Sequence, residues 1–145
     1  MAIDRQGAGL AILRICIGVF FVFESLLKIR WLNESAILAN QFAGWAGAAT
    51  PGSISAWYLH QIAIPGVHLF SRLVPIGEFC CGVALIAGFL TPIAAFFAFF
   101  MALNFQVASG AIFQYSFLTS GYGLPVLGST LALAVGGVRL PWSVR

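Results

Sequence analysis

Charge is the scarcest feature of this sequence. Seven Lys/Arg and four Asp/Glu are all that 145 residues carry, 8% of the chain, against about 25% in a soluble domain. So few charges cannot cover the surface of a soluble globule of this size. They exclude a disordered chain too, because disorder needs high charge and low hydrophobicity. Cysteine is equally sparse. Cys16, Cys80 and Cys81 lie inside apolar runs with no C-x-x-C spacing. That removes the usual dithiol redox motif and reads as three small buried apolar side chains. The two histidines, His60 and His68, are eight positions apart and divided by Pro65, too few ligands for a metal site. The sequence has no glycine-rich nucleotide loop, Ser/His/Asp set or haem-attachment motif. The net charge is +3, but the basic residues are scattered at the ends of apolar runs. Without a basic stripe interleaved with aromatics, nucleic acid is not an expected partner.

What the chain has in abundance is apolar surface: 61% hydrophobic residues and a mean hydropathy of +0.99. It reads as an integral membrane protein with the lipid bilayer as its first partner. A helix needs about 20 residues to cross roughly 30 Å of hydrocarbon. Four segments present themselves: Gly7 to Leu27, Leu73 to Leu90, Pro92 to Ser109 and Leu124 to Val138. The expected fold is therefore all-α, a single four-span membrane bundle over residues 1–145. The first run, 21 residues holding Arg14 and Glu24, reads as a retained span and not a cleaved signal. Thr91-Pro92 marks a tight turn, and Pro75 and Pro125 stand near predicted helix starts, where a missing N–H costs little.

Between the first two spans lie 45 residues, Lys28 to Arg72. Ile37, Leu38, Phe42 and Trp45 fit one helical face. A second run carries Ile54, Trp57, Tyr58, Gln61 and Ile62, with Ser53 placed to cap it. Trp and Tyr favour the membrane interface, so two short helices lying on or dipping into the surface are expected. Val67 to Arg72 is positioned to continue into the second span. Four spans put both termini on one side. Arg5, Arg139 and Arg145, with Arg14, against Lys28, Arg30 and Arg72 place that side inside by charge bias.

Ionisable residues inside the membrane need a reason, because each costs at least about 2.5–3.5 kcal/mol. The candidates are Arg14, Glu24, Glu78 and Asn104, with Lys28 bordering the first span. Arg14 and Glu24 are ten residues apart, about 15 Å along a helix, and cannot touch. Arg14 lies toward the termini and suits a structural or lipid-facing role, its long stem reaching a lipid phosphate. Glu24, Lys28, Glu78 and Asn104 share one depth, beneath the long loop, with Gln106, His68 and Arg72 nearby. Glu24 and Lys28 are spaced i, i+4 in the favourable order. That leaves Glu78 to pair with a group such as Asn104 or to carry a proton. A carboxyl in apolar surroundings can do so near neutral pH, which suits proton exchange with a quinone. Such residues also serve simply as glue between helices, and both readings stand.

The stretch Leu13 to Ile29, with Arg14, Gly18, Phe21, Ser25 and Lys28, resembles the first span of the DoxX family. Glu78-Phe79-Cys80-Cys81-Gly82, followed by Gly88-Phe89-Leu90-Thr91-Pro92, resembles that family's second span and turn. Ser25 departs from the Gly of many members. Glu24 occurs in some branches, including the DoxD-like subunit of thiosulfate:quinone oxidoreductase. The resemblance implies a four-helix membrane protein with a long loop after the first span, in the inner (cytoplasmic) membrane of a bacterium or archaeon. Some members pass electrons from thiosulfate to membrane quinone. Others are accessory proteins in redox or stress complexes.

Two functions follow as expectations. In the first, the chain is the membrane subunit of a quinone-linked oxidoreductase acting on a small sulfur anion such as thiosulfate. Glu24 and Glu78 are then the catalytic proton handlers. Lys28, Arg30, Arg72 and Asn104 hold substrate, quinone is the co-substrate, and no metal is required. In the second, the chain is a non-enzymatic accessory or scaffold subunit, docked to a partner subunit or to its own copies. A weaker third is a binder of lipid or another small hydrophobe.

Overall fold

A computed structural model describes residues 4–144; Arg145, counted above in the charge bias, lies outside the described residues. Among them every regular element is helical. Helix α1 spans Arg5–Leu27, its first turn closed by the Asp4 carboxylate, which accepts from the amides of Gln6 and Gly7 at 3.4 and 3.3 Å. A 3-10 turn, Ile29–Leu32, leads into α2, Ser35–Ala48. Helix α3, Ile54–Tyr58, runs on as a π-helical turn, Leu59–Ala63. Ser53 caps α3 by accepting from the Ala56 amide at 3.2 Å, as the sequence predicts. Helix α4 covers Val67–Ala87 and α5 covers Thr91–Ala108. A 3-10 turn, Ala111–Phe113, and the short α6, Ser116–Thr119, precede α7, Leu124–Gly136.

Three helices, α1, α4 and α5, are long and apolar enough to cross a membrane. The fourth expected span is shorter than the sequence suggests. Helix α7 has 13 residues, about 20 Å of rise. It is bounded by Gly123 on one side and Gly137 on the other. Helix α1 packs on α4 and α5 packs on α7, with α4 against α5 and α1 against α7 closing the ring. The core holds Phe21, Leu85, Leu133 and an alanine stripe on α5, Ala94, Ala95, Ala98 and Ala102. Phe96, Phe97 and Phe100 stay exposed on the opposite face of α5, where acyl chains take the place of protein. A second apolar cluster lies under the loop helices, with Trp31, Leu38, Phe42, Leu59, Val74 and Phe105.

The α1–α4 crossing rests on one glycine from each helix. A β-carbon on Gly18 would lie 2.8 Å from the Gly82 carbonyl oxygen, and the reverse holds for Gly82. Only glycine allows that approach, as at close membrane helix contacts generally. At the far end of α4, Gly88 takes φ 74° and Leu90 φ 47°, turning the chain tightly into Pro92 near the start of α5.

Two expectations need correction. Val67 to Arg72 does continue into the second span as one helix, so Pro75, expected near a helix start, sits inside α4; the helix absorbs the lost amide bond mid-length. Two of the cysteines are not packed inside: Cys16 and Cys80 are exposed, while Cys81 is half-buried and packs against the core. The buried face of the second loop helix, which the sequence left unassigned, holds Ser55, Leu59 and Ala63, while Ile54 and Trp57 face outward.

Candidate functional site

Lys28 caps the end of α1. Side chains on a helix lean toward its N-terminus, so the Lys28 stem bends back along α1 and Glu78, on the antiparallel α4, leans to meet it. The Lys28 Nζ lies 2.9 Å from the Glu24 Oε2 and donates to both Glu78 carboxylate oxygens at 2.8 Å. The Phe105 ring lies 5.5 Å from the same ammonium, a cation–π contact from α5. Glu78 is only 1% exposed, Lys28 11% and Glu24 24%. The cluster therefore runs from a sealed carboxylate to a half-open one through a single ammonium. With all three groups ionised it carries one net negative charge.

A cavity of about 300 Å³ opens beside this cluster. Glu24 and Lys28 form its polar end. Trp31, Trp45, Phe105 and Tyr122 supply aromatic surface. Trp31 and Trp45 both stack near Phe105, with ring centroids 6.2 and 6.1 Å away. Gln106 fixes the Tyr122 segment by donating to the Tyr122 carbonyl at 3.2 Å. Burial, and then the carboxylates of Glu78 and Glu24, push the Tyr122 phenol above its ordinary range. It remains a protonated hydroxyl, able to donate, at neutral pH.

The other expected site residues do not join the cluster. Glu78 pairs with Lys28 and not with Asn104. Asn104 accepts instead from the Tyr58 hydroxyl, which ties α5 to the loop helices; burial raises the Tyr58 phenol, a shift that this bond opposes. Arg30 forms an exposed i, i+4 pair with Glu34 at 3.2 Å. Arg72 is exposed on α4. The structure thus brings Lys28, but neither Arg30 nor Arg72, to the carboxylates. His68 is exposed and bonds Ser35 at 3.1 Å. No cluster of three His, Cys, Asp or Glu able to hold a metal occurs among the described residues.

Arg14 is the second buried cation, at the opposite end of the bundle. It is not lipid-facing: its exposure is 0%. Its Nη1 donates to the Ser143 Oγ at 2.6 Å and its Nη2 to the Trp142 carbonyl at 2.9 Å. Among the described residues no carboxylate lies within ion-pair distance of it, and its Nε has no partner. An ion withdrawn from water without a counter-charge costs several kcal/mol.

Sequence reasoning missed the aromatic walls and the Arg14 contacts. Phe105 and Gln106 adjoin Asn104, so the shared depth already pointed to them. Trp142 and Ser143 contact Arg14 across almost the whole chain, and no local pattern marks such a pair.

A family model described as DoxX matches residues 9–111, well over half of the chain. The match runs from within α1 to the first residue of the turn after α5 and so includes Glu24, Lys28, Glu78 and Asn104. No curated protein and no solved structure matches the chain.

Proposed function

The chain belongs to the DoxX family, a family of membrane-associated proteins, and on that premise we propose that it is the membrane subunit of a quinone-linked oxidoreductase. The supporting observation is the Lys28 ammonium clamped between Glu24 and Glu78 at the polar end of an aromatic cavity. Ligand pockets start at about 300 Å³, and this one suits a flat ring flanked by Trp31, Trp45 and Phe105, with any apolar tail left in lipid. A quinone supplies two-electron chemistry there and takes up protons as it is reduced. The chain's part is to hold and deliver those protons. Glu24, the more exposed carboxylate, exchanges with water. Glu78, the sealed one, exchanges protons with Lys28, which it also holds in place. Lys28 and the Tyr122 hydroxyl are donors toward the ring oxygens.

The electron donor in this reading is a small sulfur anion, thiosulfate being the first to try. The net negative charge of the cluster disfavours an anion inside the cavity. The anion is met at the exposed face by Arg30 and Arg72 or delivered by a partner subunit or a second copy of the chain. Helix α7, lengthened by its flanking residues, completes a fourth crossing, with both termini on the cytoplasmic side of a bacterial or archaeal inner membrane.

The test is thiosulfate-dependent reduction of a soluble quinone analogue by the purified protein in nanodiscs. General acid–base groups contribute about 10²–10⁴-fold, so turnover should fall at least about 10²-fold in Glu78→Gln and in Glu24→Gln. Unchanged turnover in both variants removes the proton role. A folded, monodisperse sample without activity, recovered with a stable partner, supports the accessory-subunit reading instead.

A further inference from the structure

The end of the bundle opposite the quinone cavity holds a second cavity, of about 560 Å³. Gly88, Leu90 and Thr91 from the α4–α5 turn form one wall, and Arg139 and Ser143 from the segment after α7 form the other. The Arg14 guanidinium lies directly behind this lining. Its Nη1 is bonded to Ser143 Oγ, and a β-carbon on Gly88 would overlap that same nitrogen. Arg14 is wholly buried, and among the described residues its Nε is unpartnered and both groups it binds are neutral. Arg139 adds a second, exposed cation at the rim. Among the described residues the three non-glycine residues in the left-handed region, Leu90, Arg139 and Trp142, all border this place. Leu90 and Arg139 line it, and Trp142 offers its carbonyl to Arg14. Backbone strain concentrated at one spot is a pointer to function when other observations agree.

We infer that this cavity binds a phosphate oxyanion between Arg139 and Ser143, with Arg14 as the buried counter-charge behind them. The anion neutralises a guanidinium that no described carboxylate reaches. Arg139 and the Ser143 hydroxyl donate to its oxygens, and the amphipathic position at the end of the spans admits the headgroup of an anionic lipid as readily as free phosphate. Guanidinium is the side chain best matched to phosphate geometry.

The experiment uses the full chain, delipidated in neutral detergent, and reads the thermal midpoint on titration with inorganic phosphate, with phosphatidylglycerol and with diacylglycerol, which lacks the phosphate. A ligand that binds only the folded state raises the midpoint, by a few degrees here. A response to phosphatidylglycerol alone assigns a lipid headgroup, and a response to inorganic phosphate alone or to both assigns the phosphate group itself. Arg139→Gln removes one charge-assisted contact and should weaken the apparent affinity about tenfold. Arg5→Gln, which removes an equal, exposed charge outside the lining of the cavity, should leave it unchanged. Because Arg139 is exposed, its variant remains testable even if Arg14→Gln does not fold. The proposal is overturned if neither phosphate nor phosphatidylglycerol shifts wild type, if diacylglycerol shifts it equally, or if Arg5→Gln weakens binding as much as Arg139→Gln.

Discussion

Lys28 and Arg14 belong to the same helix, and both are withdrawn from solvent, yet their surroundings are opposite. Lys28 meets two carboxylates and an aromatic face beneath the loop helices. Arg14 meets a hydroxyl and a carbonyl at the other end, with no carboxylate in reach among the described residues. The first is an ammonium with its counter-charges already in place and one carboxylate charge over, able to take up a proton. The second is a cation whose partners among the described residues are neutral, the opening that the proposed phosphate site fills. The family pattern in α1 contains both residues, but only their three-dimensional neighbours separate their roles.

Breaking the compensated end should cost most. Lys28→Met strands two carboxylates, one of them sealed, and removal of one partner of a buried pair costs about 3–5 kcal/mol. Thermal unfolding in nanodiscs reads this loss, and adding Glu78→Gln to Lys28→Met should recover part of it. Next comes the crossing that brings α4 to Lys28. Gly18→Val forces a branched side chain against the Gly82 carbonyl and should cost about 2–3 kcal/mol, within the usual range for overpacking, by the same measurement. At the uncompensated end the balance is closer. In phosphate-free detergent Arg14→Met loses two hydrogen bonds from a charged donor but also removes a buried unpaired charge. Its cost should stay below about 2 kcal/mol, and a loss matching that of Lys28→Met would erase the contrast. Smallest of all is Arg30→Gln, which breaks an exposed pair and should change stability by less than about 0.5 kcal/mol.

Much of the compensated end was legible before any coordinates. Rise per residue alone places Glu24, Lys28 and Glu78 at one depth, and the structure joins them. Depth carries no azimuth, so it could not decide between Lys28 and Asn104 as the partner of Glu78. The side chain of Asn104 was already taken by Tyr58, from a loop whose path depth arithmetic does not describe. The two loop helices were visible in their periodicity. The buried face of the second was not, because small residues, Ser55 and Ala63, line it, while bulky Ile54 and Trp57 face outward. The α1–α4 contact uses one glycine from each helix, which no within-helix spacing rule detects. The uncompensated end was the least legible. Arg14 reads as a residue reaching for the membrane surface until Trp142 and Ser143 are seen to fold back over it.

The division of labour between the two ends is tested most directly by comparing thiosulfate-dependent quinone-analogue reduction in nanodiscs for two variants, Glu78→Gln and Arg139→Gln. The account predicts that Glu78→Gln loses at least about 10²-fold in turnover while Arg139→Gln, its thermal midpoint near that of wild type, retains full turnover. Equal losses in both, or a loss in Arg139→Gln alone, would contradict it.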